Sequence, residues 1–152
     1  MDIKTDALRD GKVAALLEEH LRDMYSTSPP ESVHALDIDQ LRHPSITFYS
    51  AWKDDELLGC AAIKMLTPTH GELKSMRTSD KARKQGVGKT LLEHVIQQAQ
   101  QNGVERLSLE TGSMAFFTPA RNLYSQYGFD YCGPFADYVD DPNSRFMTKE
   151  LV

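Results

Sequence analysis

The sequence predicts a mixed α/β fold of the α+β type, with a largely antiparallel sheet packed against helices. One observation is the apolar periodicity of residues 87–103, which is typical of an amphipathic helix. A second is that strand-like segments, 70–79 and 105–111, flank this helix, so it would form a parallel crossover. The chain has 152 residues and no linker long enough to divide it, so we expect one domain over 1–152.

The strongest strand signals lie in the first half of the chain. Residues 46–52 (ITFYSAW) alternate and are rich in β-branched and aromatic side chains, and residues 57–66 form a largely apolar run. The polar KDDE between them predicts a hairpin turn. Further strands are expected at 3–8, 129–132 and 144–151.

Helix signals are equally local. In the helix from Val87, the side chains of Leu91, Val95 and Ala99 continue one apolar stripe, and Asn102-Gly103 ends it. A first helix is predicted from residues that recur at helical spacing, and Pro29-Pro30 must end it. These residues are Val13, Leu16, Leu17, His20, Leu21 and Met24. Two more helices are expected at 35–42 and 119–127.

Composition excludes several classes of protein. The net charge of −5 argues against a nucleic-acid-binding surface, and no apolar run approaches the ~20 residues of a membrane span. The N-terminus lacks the apolar core of a signal peptide, so a cytoplasmic location is expected. Cys60 and Cys132 lie in no CxxC pair, so no metal site is expected.

The glycines of RKQGVGKT (83–90) raise the question of which phosphate they approach. A P-loop needs a glycine five residues before Gly88, where this chain has Arg83. A dinucleotide fingerprint needs a third glycine where this chain has Leu91. Both motifs therefore fail at a required position.

The pattern R-x-x-G-x-G is met in full by Arg83, Gly86 and Gly88. It stands between a predicted strand and a strong helix, where free N–H groups and the positive dipole end favour an anion. Here the sequence resembles the GNAT superfamily of N-acetyltransferases, which bind acetyl-CoA through such a loop. A second segment, ARNLYSQYGFDYCG (120–133), resembles the late helix and strand of that family.

The resemblance covers nearly the whole chain and implies a GNAT fold with six to seven strands and about four helices. It also implies that acetyl-CoA is the cosubstrate. Its pantetheine arm would pair with the main chain of Met76, Arg77 and Thr78, and the N–H of Met76 or of a neighbouring residue would hold the oxyanion. The implied pyrophosphate loop comprises Arg83, Lys84, Gln85, Gly86, Val87, Gly88 and Lys89.

The resemblance assigns the general acid to Tyr124, in the L-Y-x-x-x-G-F pattern. Glu72 is the first candidate for the base, Glu110 and His70 are further candidates, and water alone is the remaining alternative. Strand alternation places Glu72, Lys74, Met76 and Thr78 on one face. The chain departs from the family at Phe117, where many members have an asparagine that contacts pantetheine.

The acceptor pocket implied by the family comprises residues 26–34, Trp52 and residues 133–144. Within it, Glu31, Asp137, Asp140 and Asp141 would attract a cationic amine, and Phe135, Tyr138 and Trp52 would pack against an apolar part. The expected activity is acetylation of a primary amine on a small molecule, amino acid or peptide. The alternative is a CoA-binding module without turnover, and the chain could act as a monomer or a homodimer.

Overall fold

A seven-stranded sheet with helices on both faces organises the chain, and the computed structural model describes all 152 residues. The strands are β1 (Asp2–Thr5), β2 (Ile46–Lys53), β3 (Glu56–Met65), β4 (His70–Thr78), β5 (Arg106–Gly112), β6 (Asp130–Cys132) and β7 (Ser144–Glu150). The helices are α1 (Gly11–Thr27), α2 (Ile38–Leu41), α3 (Val87–Gln101) and α4 (Thr118–Gln126).

The order of strands in the sheet is β1-β2-β3-β4-β5-β7-β6. Every neighbouring pair is antiparallel except β4 and β5, which are parallel and joined through α3. The predicted mixed fold with a parallel crossover is therefore confirmed. None of the helices is long and apolar enough to cross a bilayer.

The parallel pairing of β4 with β5 stops early. Only His70, Gly71 and Glu72 pair with β5, against the segment that begins at Arg106. Beyond this point the strands separate, and residues 73–78 have no strand partner on the β5 side. The main-chain groups on that side remain available to another partner.

A β-bulge in the middle of β4 changes which side chains share a face. Cys60 pairs with Arg77 and Ala62 with Lys74, so Ser75 and Met76 lie opposite the single residue Ala61. Ser75 has a φ of 53°, in the left-handed region. Such a bulge shifts the inward–outward alternation by one residue.

This bulge overturns the predicted common face of Glu72, Lys74, Met76 and Thr78. Met76 packs on the same side as Leu73, against the core beneath α3. Arg77 points to the opposite face, where it pairs with Glu19 and Asp23 of α1. Side chains of β4 alternate between the two faces of the sheet in the simple way only up to Lys74.

Two apolar clusters cover the two faces of the sheet. The predicted stripe on α3 is confirmed, because Val87, Leu91, Val95 and Ala99 are all buried in the larger cluster. The smaller cluster joins α1 and α2 to β2 and β3, through Val13, Leu16, Leu17, Leu41, Phe48, Trp52, Cys60 and Ala62. Together they anchor helices on both sides of the gap between β4 and β5.

Close packing at Gly59 leads to a stability prediction. A Cβ at this position would lie 2.7 Å from the main-chain oxygen of Arg77 and 3.0 Å from Leu91 Cδ1. Because a backbone oxygen in a paired strand cannot move cheaply, Gly59→Ala should destabilise the protein by about 1–3 kcal/mol. The measurement is the midpoint of urea unfolding.

Gly11→Ala is the matched control, because no atom lies within 4 Å of its added Cβ and the position begins α1. This variant should be as stable as the parent or slightly more so. Equal midpoints for the two variants would show that β3 and β4 are not packed this closely at Gly59.

Candidate active site

A cavity of about 170 Å³ lies where β4 and β5 separate. It is lined by β4 from Glu72 to Arg77 and by β5 from Leu109 to Gly112. His20 of α1 lies at one side and Tyr124 of α4 at the other. Since α1 and α4 pack on opposite faces of the sheet, the cavity passes between the two strands.

Tyr124 enters this cavity from a well-defined short helix. Pro119 lies in the first turn of α4, and Gly128 follows its end with a φ of 87°, a conformation that favours glycine. Burial raises the pKa of Tyr124 to about 12, and the nearby Glu110 carboxylate adds to the effect. The phenol is therefore protonated at neutral pH and can donate a proton.

Glu110 lines the cavity from β5. Burial raises its pKa to about 7, although the Ser144 hydroxyl and the Lys74 ammonium act in the opposite direction, and the Glu72 carboxylate raises it further. A carboxyl group with such a pKa exists in both protonation states near neutrality. It can accept a proton and release it again under the same conditions.

Glu72, the first candidate for the base, is buried in a polar network. Its Oε2 accepts hydrogen bonds from Lys74 Nζ at 3.1 Å and from the Tyr138 hydroxyl at 2.5 Å. Lys74 Nζ also donates to the Tyr138 oxygen at 3.0 Å. The network ties the segment 133–143, which contains Tyr138, to the middle of β4.

Arg77 is buried against α1. Its Nη2 donates to Glu19 Oε1 at 2.5 Å and to Asp23 Oδ2 at 2.6 Å. The guanidinium therefore faces away from α3 and α4. On the α4 side of the gap, Arg77 therefore offers only its main chain, and the main chain is the part of Arg77 predicted to bind the cofactor.

The glycine loop lies beyond the end of β4. Gly86 precedes α3 with a φ of 78°, and no side chain caps the first turn of this helix. A Cβ at Gly88 would lie 3.6 Å from Thr78 Oγ1 and 3.8 Å from Met76 Cε. The uncapped helix start thus adjoins the unpaired half of β4.

The charged side chains of residues 83–89 are exposed, whereas the apolar side chain of Val87 is buried. Arg83 forms an ion pair of 2.8 Å with Asp80, and Lys84, Gln85 and Lys89 face solvent. Val87 is 3% exposed and belongs to the core, so its N–H alone is available to a ligand.

Several predicted site residues lie elsewhere. Trp52 packs in the cluster between α1 and the sheet and does not line the cavity, so it does not belong to the acceptor pocket. His70 bonds to Ser108 Oγ at 2.7 Å and also lies outside the cavity. The side chains of Glu31, Asp137 and Asp140 are exposed outside it.

The structure adds residues that sequence reasoning missed. His20 and Ser75 line the cavity, although the sequence predicts a site role for neither, whereas His34 lies in the predicted acceptor segment 26–34 and lines the cavity as expected. One signal was present for His20, because it is a polar residue within the apolar stripe of α1. Phe117 also lines the cavity and packs tightly, since a Cβ at Gly112 would lie 2.1 Å from its ring.

Comparison with known proteins agrees with this arrangement. The profile of the Acetyltransferase (GNAT) family matches residues 13–129. The chain is 58% identical to the uncharacterized N-acetyltransferase YsnE of Bacillus subtilis (strain 168), over 99% of this chain and 100% of that protein. It is 49% identical to the uncharacterized N-acetyltransferase YedL of Escherichia coli (strain K12), over 98% and 94%.

The fold also matches solved structures. One is a GNAT family acetyltransferase from Elizabethkingia anophelis with acetyl-CoA bound, with a TM-score of 0.69 and 19% identity over 98% of this chain and 97% of that one. The family profile and the full-length relatives together decide the assignment: the chain belongs to the GNAT family and is an N-acetyltransferase.

Proposed function

We propose that the protein transfers the acetyl group of acetyl-CoA to a primary amine of a small molecule, amino acid or peptide, within the cavity between β4 and β5. One observation carries this proposal. A phenol that is protonated at neutral pH, Tyr124, and a carboxyl group with a pKa of about 7, Glu110, line the same cavity where the sheet opens. Acyl transfer to an amine needs both an acid and a base.

The main chain of β4 and the start of α3 suit acetyl-CoA, which supplies an acetyl thioester. Residues 76–78 lack a strand partner on the β5 side, so their main-chain groups can bond to the amides of the pantetheine arm. The uncapped first turn of α3, with exposed Arg83, Lys84 and Lys89 around it, can hold the pyrophosphate. The structural neighbour with acetyl-CoA bound supports this use of the fold.

An N–H in the unpaired part of β4 would stabilise the oxyanion. Met76 is our candidate, since it lies in the bulge and lines the cavity. A preorganised backbone donor in a site shielded from water is worth about 10²–10³-fold in kcat.

Three proton transfers complete the reaction. The acceptor ammonium must lose one proton before its nitrogen attacks, and Glu110 takes it. As the new C–N bond forms and the C–S bond breaks, Tyr124 gives its proton to the sulfur. The Tyr124 phenolate then takes the second proton from the nitrogen of the new amide. In total, one proton per turnover leaves to solvent through Glu110.

We assign the base to Glu110 in preference to Glu72. The Glu72 carboxylate already accepts hydrogen bonds from Lys74 and Tyr138, and its place in that network suits positioning of the acceptor. Glu72 stays the competing candidate, and the pH dependence described below separates the two.

Replacing Tyr124 tests the function most directly. Tyr124→Phe removes only the hydroxyl, so kcat for release of free CoA thiol in the presence of an amine should fall by about 10²–10⁴-fold. The rise in melting temperature caused by acetyl-CoA should persist.

Tyr127→Phe is the control, because this tyrosine ends the same helix but bonds to Glu93 outside the cavity. It should keep the parental kcat. If Tyr124→Phe turns over as fast as the parent where chemistry limits the rate, Tyr124 is not the acid.

The pH profile of kcat identifies the base. Glu110 accepts a proton only when ionised, so kcat should rise with pH through about 7 and then level off. No alkaline decline from Tyr124 is expected below pH 11, since its pKa is about 12. The rise should vanish in Glu110→Gln and persist in Glu72→Gln; the reverse pattern would transfer the role to Glu72.

A further inference from the structure

Some residues that line the cavity have buried side-chain polar atoms without a hydrogen-bond partner in the protein. Three such buried atoms belong to residues that line it: His20 Nδ1, Ser75 Oγ and Arg77 Nε. Buried polar groups in native proteins are almost always hydrogen-bonded. Three unsatisfied polar atoms on residues that line one cavity point to a ligand as their missing partner.

These atoms share a capacity to donate. The Nε–H of Arg77 can only donate, the Ser75 hydroxyl can donate, and a neutral imidazole donates from Nδ1 in one of its tautomers. Burial lowers the pKa of His20 to about 4, and Arg77 lowers it further, so the ring is neutral at pH 7. Oxygen atoms that only accept hydrogen bonds fit this set, and a carboxylate supplies two of them.

The charges nearby permit a carboxylate. Both carboxylates that pair with Arg77 bind its Nη2 and leave the Nε–H free. Their side chains are 34% and 35% exposed, so solvent screens part of their repulsion toward an incoming anion. The Lys74 ammonium, which also lines the cavity, is paired with Glu72 Oε2 at 3.1 Å and so offsets the charge of that carboxylate.

The covering loops limit the size of the acceptor. Ser32 Oγ donates to Asp141 Oδ2 at 2.5 Å, and the His34 and Tyr138 rings meet edge to face with centroids 5.0 Å apart. The segment 28–35 is thereby fastened to the segment 133–143 beside the cavity. A cavity of about 170 Å³ beside two fastened segments suits a small molecule better than a long peptide chain.

We propose that the acceptor is a free amino acid, whose carboxylate bonds to Arg77, Ser75 and His20 while its amine faces Glu110 and Tyr124. The inference rests on the proposed transferase function and narrows its substrate class. It makes Ser75 and His20 specificity-determining residues, and it makes the bulge that exposes Ser75 part of the acceptor site.

The test compares amino acids with their own carboxamides and with the amines that lack the carboxyl group. Losing one or two charge-assisted hydrogen bonds should lower kcat/KM for the carboxamide by about 10- to 100-fold relative to the acid. Short peptides with the same N-terminal residue should be poorer still. The readout is acetylated product by mass spectrometry.

Ser75→Ala tests the same proposal from the side of the protein. It should reduce the preference for acid over carboxamide about tenfold, while the acetyl-CoA-induced rise in melting temperature shows that the variant folds and binds its cosubstrate. Ser79→Ala is the matched control, because Ser79 Oγ is also buried without a partner but does not line the cavity. It should keep the parental preference.

The outcomes separate the two proposals. Equal rates for acids and carboxamides, or an unchanged preference in Ser75→Ala, would overturn carboxylate recognition and leave the transferase function intact. Absence of product with every amine, at saturating acetyl-CoA, would overturn both.

Discussion

The early end of the hydrogen-bond ladder between β4 and β5 is the constraint on which the site depends. Three residues of β4 pair with β5, and the rest of the strand has no partner on that side. Unpaired main-chain groups are costly when buried, so the gap is stable only if water or a ligand fills it. An extended molecule carrying amides meets this requirement, and the cavity, the acid and the base lie along the same gap.

The fold holds this gap open from both faces of the sheet. On one face, α3 and its buried stripe support the part of β4 that contains Leu73 and Met76. On the other, the paired guanidinium of Arg77 ties the end of β4 to α1. The bulge at Ser75 allows both attachments, because it turns Met76 toward α3 and Arg77 toward α1. A regular strand would have placed these side chains the other way.

Much of this was predictable from local sequence. The stripe from Val87 to Ala99, the hairpin around KDDE and the glycine motif after Arg83 are determined by neighbours in the chain, and they appear where expected. The motif segment 120–133 likewise predicted α4 and β6, and with them the place of Tyr124.

The remaining features depend on contacts between distant segments. The residues around Ser75 carry no local signal for a left-handed backbone conformation. The prediction of which sheet face Met76 and Thr78 occupy was therefore wrong. Trp52 was expected in the acceptor pocket, yet packing against α1 places it in the core. The raised pKa of Glu110 follows from its burial against strands and loops that are distant in sequence. His20 lines the cavity only because α1 packs beside the gap.

Hydrogen–deuterium exchange with and without acetyl-CoA tests the central claim most directly, because that claim concerns unpaired main-chain groups. Binding should slow exchange in peptides that cover residues 73–78 and 83–90. It should leave β2 (Ile46–Lys53), which pairs with β3 along its whole length, unchanged. Protection confined to other segments, with no change over 73–78, would contradict the account, since the cosubstrate would then bind away from the opening in the sheet.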